Sequence, residues 1–177
     1  MSASPSPGSG PARAPAAPPR IADLLAPFAG RAVHLGEVSG NNGDELILRG
    51  AQQAIVDAGC RLVADASEAE LVCLNGGFKS DFWPFANELI REASERWPDV
   101  PMAVLPSSFW YETTDFPALF AGRRAPAWIF AREHRSLALL REWTFPCPVH
   151  LGLDHDMAMF LGDAAWTRRL RERSTDE

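Results

Sequence analysis

Six short apolar runs, each followed by small polar residues, divide the chain after its first twenty positions. They cover residues 32–38, 60–65, 70–74, 101–108, 127–133 and 148–154. Each is too short to be an amphipathic helix and apolar on both sides, as a strand buried on both faces of a sheet must be. Between the runs the spacing changes. Ile47, Ala51, Ala54, Ile55 and Ala58 recur at helical intervals, predicting a helix over 44–59 closed by Gly59. Residues 81–97 predict a second helix, with Trp83, Leu89, Ile90, Ala93 and Trp97 on its apolar side and Pro84 in its first turn. Residues 134–143 predict a third, and 21–30 a short one that Pro27 interrupts. The segment 109–122 reads as a loop with one helical turn, and 156–162 as the start of another helix. Strand and helix patterns in alternation predict an α/β fold: a Rossmann-like parallel sheet with helices on both faces.

In such a sheet, ligands bind outside the carboxyl ends of the strands. The polar punctuation falls there each time: Asn41 to Asp44, Asn75 to Gly77, Ser107–Ser108, Arg132–Glu133 and Asp154 to Asp156. The first of these, "GNNGD", runs straight into the predicted helix 44–59. Its small residues tolerate positive φ and let backbone N–H groups approach a ligand, while Asp44 alone would serve as a helix cap.

Composition narrows the function. The 177 residues suit one domain, at roughly 100–200 residues each. With 46% hydrophobic and 23% charged residues, a packed core is within reach. A net charge of -6 and a pI near 5.2 argue against nucleic-acid binding, and the basic stretch "RRLRER" (168–173) reads as a solvated helix face. Cys60, Cys73 and Cys147 are too widely spaced for a zinc or redox motif, so buried free thiols in a reducing cytoplasm are expected. No window reaches the roughly 18 apolar residues of a membrane span. Residues 1–20, rich in Pro, Ala and Ser, read as a disordered leader, 21–162 as the folded domain and 163–177 as a charged tail.

Candidate chemistry is spread over these turns. Arg132 and Glu133 form either a structural ion pair or an anion site, with Ser136 on the same side of the following helix start. Asp154 and Asp156 can converge without His155, but two carboxylates are too few for a metal site, and none is expected. Gly76 and Gly77 allow either a plain turn or a close ligand approach. His34 lies inside the first run and reads as a core histidine. The six tryptophans can stack on sugar rings or simply pack. Neither a dinucleotide fingerprint nor a P-loop, nucleophile elbow or zinc motif occurs.

"GNNGDELILRGA" resembles the opening motif of the polysaccharide pyruvyl transferase family, in which a strand leads into an Asn–x–Gly–Asp turn and a helix. "LNGGF", "LPSSFW", "FAREHRSLALL" and "DHDMAMFL" resemble later family segments in the same order, across residues 32–161. The resemblance implies transfer of pyruvate from phosphoenolpyruvate to two sugar hydroxyls as a ketal, in exopolysaccharide or cell-surface polysaccharide synthesis. It implies one half of a two-domain, glycosyltransferase-like (GT-B-like) fold and requires no cofactor. Asn41, Asn42, Gly43, Asp44, Gly76, Gly77, Ser107, Ser108 and Arg132 would then bind substrate, and Asp44, Glu133 and Asp156 are candidates for the base. By that resemblance the family's second half, which carries most of its phosphoenolpyruvate-binding cations, is expected to be missing from this chain and supplied by a homodimer or a second chain. Arg132 is then the one basic residue expected at a strand end. Two other readings stay open: a non-catalytic saccharide-binding remnant, and an unrelated glycosyltransferase-like or nucleotide-binding α/β domain.

Overall fold

The structure is a computed structural model that describes residues 17–37 and 40–163. The expectations for a leader over 1–16 and for the tail beyond 163 lie outside the described residues. Ala17 to Arg20 belong to the fold instead: Leu153 N–H donates to the Pro19 carbonyl, and Arg20 precedes helix α1 (Ile21–Leu25). Strand β1 (Ala32–Gly36) leads into α2 (Asn42–Asp57), followed by β2 (Arg61–Val63), β3 (Leu71–Leu74) and β4 (Gly77–Ser80). Helix α3 (Pro84–Arg96), β5 (Met102–Trp110), β6 (Ala127–Ala131), α4 (His134–Glu142) and β7 (Val149–Leu153) complete the sequence.

All described pairings are parallel, and the strands lie in the order β2-β1-β3-β5-β6-β7. Strand β4 also pairs with β5, in the register β3 uses: Val72 faces Met102 and Gly77 faces Ser107, both thirty positions on. So β3 and β4 are one line of chain, interrupted at Asn75–Gly76. This corrects two sequence expectations. Residues 75–77 do not turn the chain, and Ser107–Ser108 are not a turn but part of β5.

Side chains alternate across β3, which sets the two cores. Leu71 and Cys73 join Ile47, Ala51 and Ile55 of α2 on one face; Val72 and Leu74 join Ile90 and Ala93 of α3 on the other. Helices therefore cover both faces. The lateral order reverses between β1 and β3, and there the helices that follow, α2 and α3, part to opposite sides. The predicted loop over 109–122 holds a 3-10 helix, Phe116–Phe120, whose Phe116 and Phe120 are fully buried among Phe109, Tyr111, Trp143 and Phe145. The three cysteines are free and buried, as expected. No described helix is long and apolar enough to cross a membrane.

The segment expected to start a last helix is a 3-10 helix, Met157–Asp163, packed on α2. Contact is backbone to backbone at Gly50, where an added Cβ would stand 1.8 Å from the Met157 carbonyl oxygen. Gly50→Ala must push this segment away, and an expected loss of about 1–3 kcal/mol is typical of overpacking. Urea denaturation of the variant, followed by far-UV circular dichroism, measures it.

Candidate functional site at the strand-order reversal

In doubly wound sheets the strand-order reversal opens a crevice between the diverging helices. Here it is a pocket of about 230 Å³ lined by Asn41 and Asp44 from α2, Asn75 and Gly76 from the β3–β4 break, Lys79 from β4, and Trp83 and Phe85 at the start of α3. Larger surface hollows lie beside the edge strand β2 and between β5 and α4, away from this crevice.

The α2 side is built by reciprocal capping. Asn41, not Asp44, is the cap: its Oδ1 accepts the N–H of Gly43 at 2.7 Å and of Asp44 at 3.3 Å. Asp44 Oδ2 returns the bond, accepting the Asn41 N–H at 2.9 Å. Two of the donors that a helix start would offer an anion are thus taken by Asn41, and Asp44 and Glu45 put negative charge in the first turn. This helix start suits a ligand that donates. Asp44 Oδ1 faces Gly77 and accepts no described hydrogen bond. Asn42 and Gly43 are exposed beside it.

The two glycines of the break are required by the chain itself. An added Cβ on Gly76 would lie 2.5 Å from the Pro106 carbonyl oxygen, and Gly77 has a φ of 113°. Two residues on, Lys79 is 2% exposed and folds back along its own strand. Its Nζ donates to the carbonyls of Asn75 at 2.8 Å and Gly76 at 3.3 Å. Burial lowers its pKa from 10.5 to about 8; Arg132 lowers it further, and Asp44 acts the other way. Arg132 is therefore not the lone cation of this edge.

The other expected residues gather in a second cluster along the same edge. Arg132 Nε donates to Ser108 Oγ at 2.7 Å and its Nη1 to Asp156 Oδ2 at 2.6 Å. Ser108 donates to Glu133 Oε2 at 2.9 Å, and Ser136 donates to Glu133 Oε1. Asp156 Oδ1 also accepts the Ala158 N–H. Every charged group in this cluster has a partner within it. Ser107 belongs to neither group: it is buried and donates to the Leu105 carbonyl. Asp154 turns away from Asp156 to accept the Ile21 N–H at 2.9 Å, and no described residues form a metal-holding group. His34 is half-buried, with Nδ1 3.2 Å from the Val63 carbonyl.

Lys79 and the aromatic rim escaped the sequence reading. Trp83 is not on the packed side of α3; it precedes the helix and is 53% exposed, with Phe82 at 74% and Phe85 at 69%. One signal could have found Lys79. Among 17 basic residues it is the single lysine, in a chain that otherwise uses arginine.

No protein-family model matches the chain, and no curated protein matches it. Its fold is similar to the crystal structure of an uncharacterised protein from Klebsiella pneumoniae subsp. pneumoniae, with a TM-score of 0.63 and 15% identity. The match covers 82% of this chain and 57% of that one, and at this identity it is a likeness of fold.

The lowered pKa of Lys79 sets a stability window. With a pKa near 8 when folded and 10.5 when unfolded, the unfolded chain binds more protons between these values, so stability rises with pH across them. Below about 8 the penalty is present in full. Relative to Lys79→Met, the wild-type chain is expected to gain up to about 3 kcal/mol from pH 7.5 to 10.5. Parallel urea titrations of both proteins read this difference.

Proposed function

We propose that the pocket at the strand-order reversal is the saccharide side of a pyruvyl-transferase-like site. The observation that carries this reading is the juxtaposition of Asp44, one of whose carboxylate oxygens has no hydrogen bond among the described residues, and the exposed Trp83 and Phe85 across one sugar-sized crevice. The Asn–x–Gly–Asp turn and the second glycine segment, which carry the resemblance, meet in that same crevice. In the reaction two sugar hydroxyls bond to C2 of phosphoenolpyruvate and its C2–O bond to phosphate breaks. One hydroxyl proton's equivalent goes to the methylene carbon, making the methyl group, and the other leaves with phosphate.

Among the three candidate bases, geometry favours Asp44. Glu133 is held by Ser108 and Ser136, and Asp156 by Arg132 and the Ala158 N–H. Phosphoenolpyruvate brings a carboxylate and a phosphate, which call for several fixed donors. Arg132 is already bonded to Ser108 and Asp156, and Lys79 keeps a single N–H beyond its two carbonyls, too few donors for both groups. Further cations therefore come from a second chain or a homodimer partner, and cell-surface polysaccharide synthesis is the setting. A second reading, saccharide binding without transfer, is favoured by the same shortage of donors for a doubly charged anion.

The test measures saccharide binding through tryptophan fluorescence and phosphate release from phosphoenolpyruvate with pooled sugar acceptors. Asp44→Asn, which keeps an oxygen to accept the Asn41 N–H, is expected to weaken saccharide binding about tenfold, the loss of roughly one hydrogen bond to a charged group. Phosphate release by this chain alone is expected to be slow or absent. Absence of saccharide binding in the wild-type protein would overturn the reading.

A further inference from the structure

Lys79 presents a buried cation to the pocket with no matching charge. An ammonium has three N–H donors. Two go to the carbonyls of Asn75 and Gly76, and the third has no acceptor among the described residues. No described carboxylate forms an ion pair with it; the influence of Asp44 is the weakest of those acting on it. A buried charge is ordinarily paired, because desolvation is otherwise uncompensated. The pocket thus lacks one negative charge on its β4 side, while on its α2 side Asp44 already supplies one.

Those two walls together select a ligand. Inorganic phosphate would meet Asp44 as a like charge and find the Gly43 and Asp44 N–H donors already taken by Asn41. A neutral sugar would satisfy Asp44 but leave Lys79 unpaired. We propose that the ligand is an acidic monosaccharide unit of the uronic acid class: its carboxylate accepts from Lys79, its ring hydroxyls donate to Asp44, and its ring lies against Trp83. The inference rests on the reading of this pocket as a saccharide site and adds the charge of the sugar. About 230 Å³ suits one ring at this position, with neighbouring units of a chain passing out over the exposed Phe85.

The single lysine makes the test direct, since side-chain 15N-lysine labelling gives one resonance. The labelled full chain is titrated with sodium glucuronate, glucose and inorganic phosphate, and Lys79→Met is carried alongside. Glucuronate is expected to bind at least tenfold more tightly than glucose at pH 7, to shift the lysine signal, and to raise its titration midpoint. The preference should fall as pH rises past about 8, where the free ammonium loses its proton, and vanish in Lys79→Met. The wild-type resonance decides the matter even if that variant does not fold. Equal binding of glucose and glucuronate with an unmoved lysine signal would overturn the acidic-sugar inference and leave the saccharide reading intact. Phosphate shifting the signal as strongly as glucuronate would overturn it too, in favour of a general anion site. Binding of neither sugar would overturn both.

Discussion

A strand that outruns its neighbour must satisfy its backbone by other means, and that constraint shapes this protein. Strand β1 ends opposite Leu74, while β5 continues to Trp110. The chain between them keeps its β5 partner but loses its β1 partner, and it breaks at Asn75–Gly76. Lys79 closes the break by donating to both freed carbonyls. Bonds from a charged donor to buried carbonyls contribute on the order of 1.5–3 kcal/mol each, which offsets part of the ammonium's desolvation. The extension β4 then stands above the end of β1 as one wall of the crevice. Without it, the edge would be an ordinary row of loops.

The same edge carries two unlike constellations. Ser108, Arg132, Glu133, Ser136 and Asp156 bond to one another, so that network ties the ends of β5 and β6 to the start of α4. Around Lys79 and Asp44 the accounting is open: one ammonium proton and one carboxylate oxygen lack partners among the described residues. Groups left without a protein partner beside a cavity are satisfied by water or by a ligand. This distinction between partnered and open groups separates scaffold from site more sharply than residue type does.

The aromatic rim depends on a further anchor. Asp81, at the end of β4, accepts the N–H groups of Glu112, Thr113 and Thr114 at 2.7, 3.0 and 2.9 Å. The Thr114 side chain and these backbone donors hold its carboxyl well below the usual carboxylate range. Because its neighbours Phe82 and Trp83 follow directly, this tie fixes where the exposed rings begin. Tyr111 adds a bond to Asn87 of α3 at 2.6 Å, so the loop after β5 and the start of α3 are held together. A rim fixed in this way can present a ring face without ordering cost on binding.

Local pattern was enough for the fold. Two-sided apolar runs alternating with helical spacing admit a parallel sheet between helix layers, and all six expected strands recur with small shifts of their ends. The third run, 70–74, continues beyond its expected end as β4: "NGG" reads as a turn, because nothing local says that Gly77 finds Ser107 beside it. For the same reason Ser107–Ser108 read as the end of a strand that in fact runs to Trp110. The sequence by itself determined which residues are apolar, where helices start and which polar groups reach the carboxyl edge, since these follow from near-neighbour spacing. Only the tertiary structure decided that Lys79 is buried, that Glu133 and Asp156 are committed, and that Asp44 keeps one oxygen without a hydrogen bond among the described residues. Each of those depends on pairings between residues distant in the chain, and such pairings are set by how strands of unequal length lie side by side.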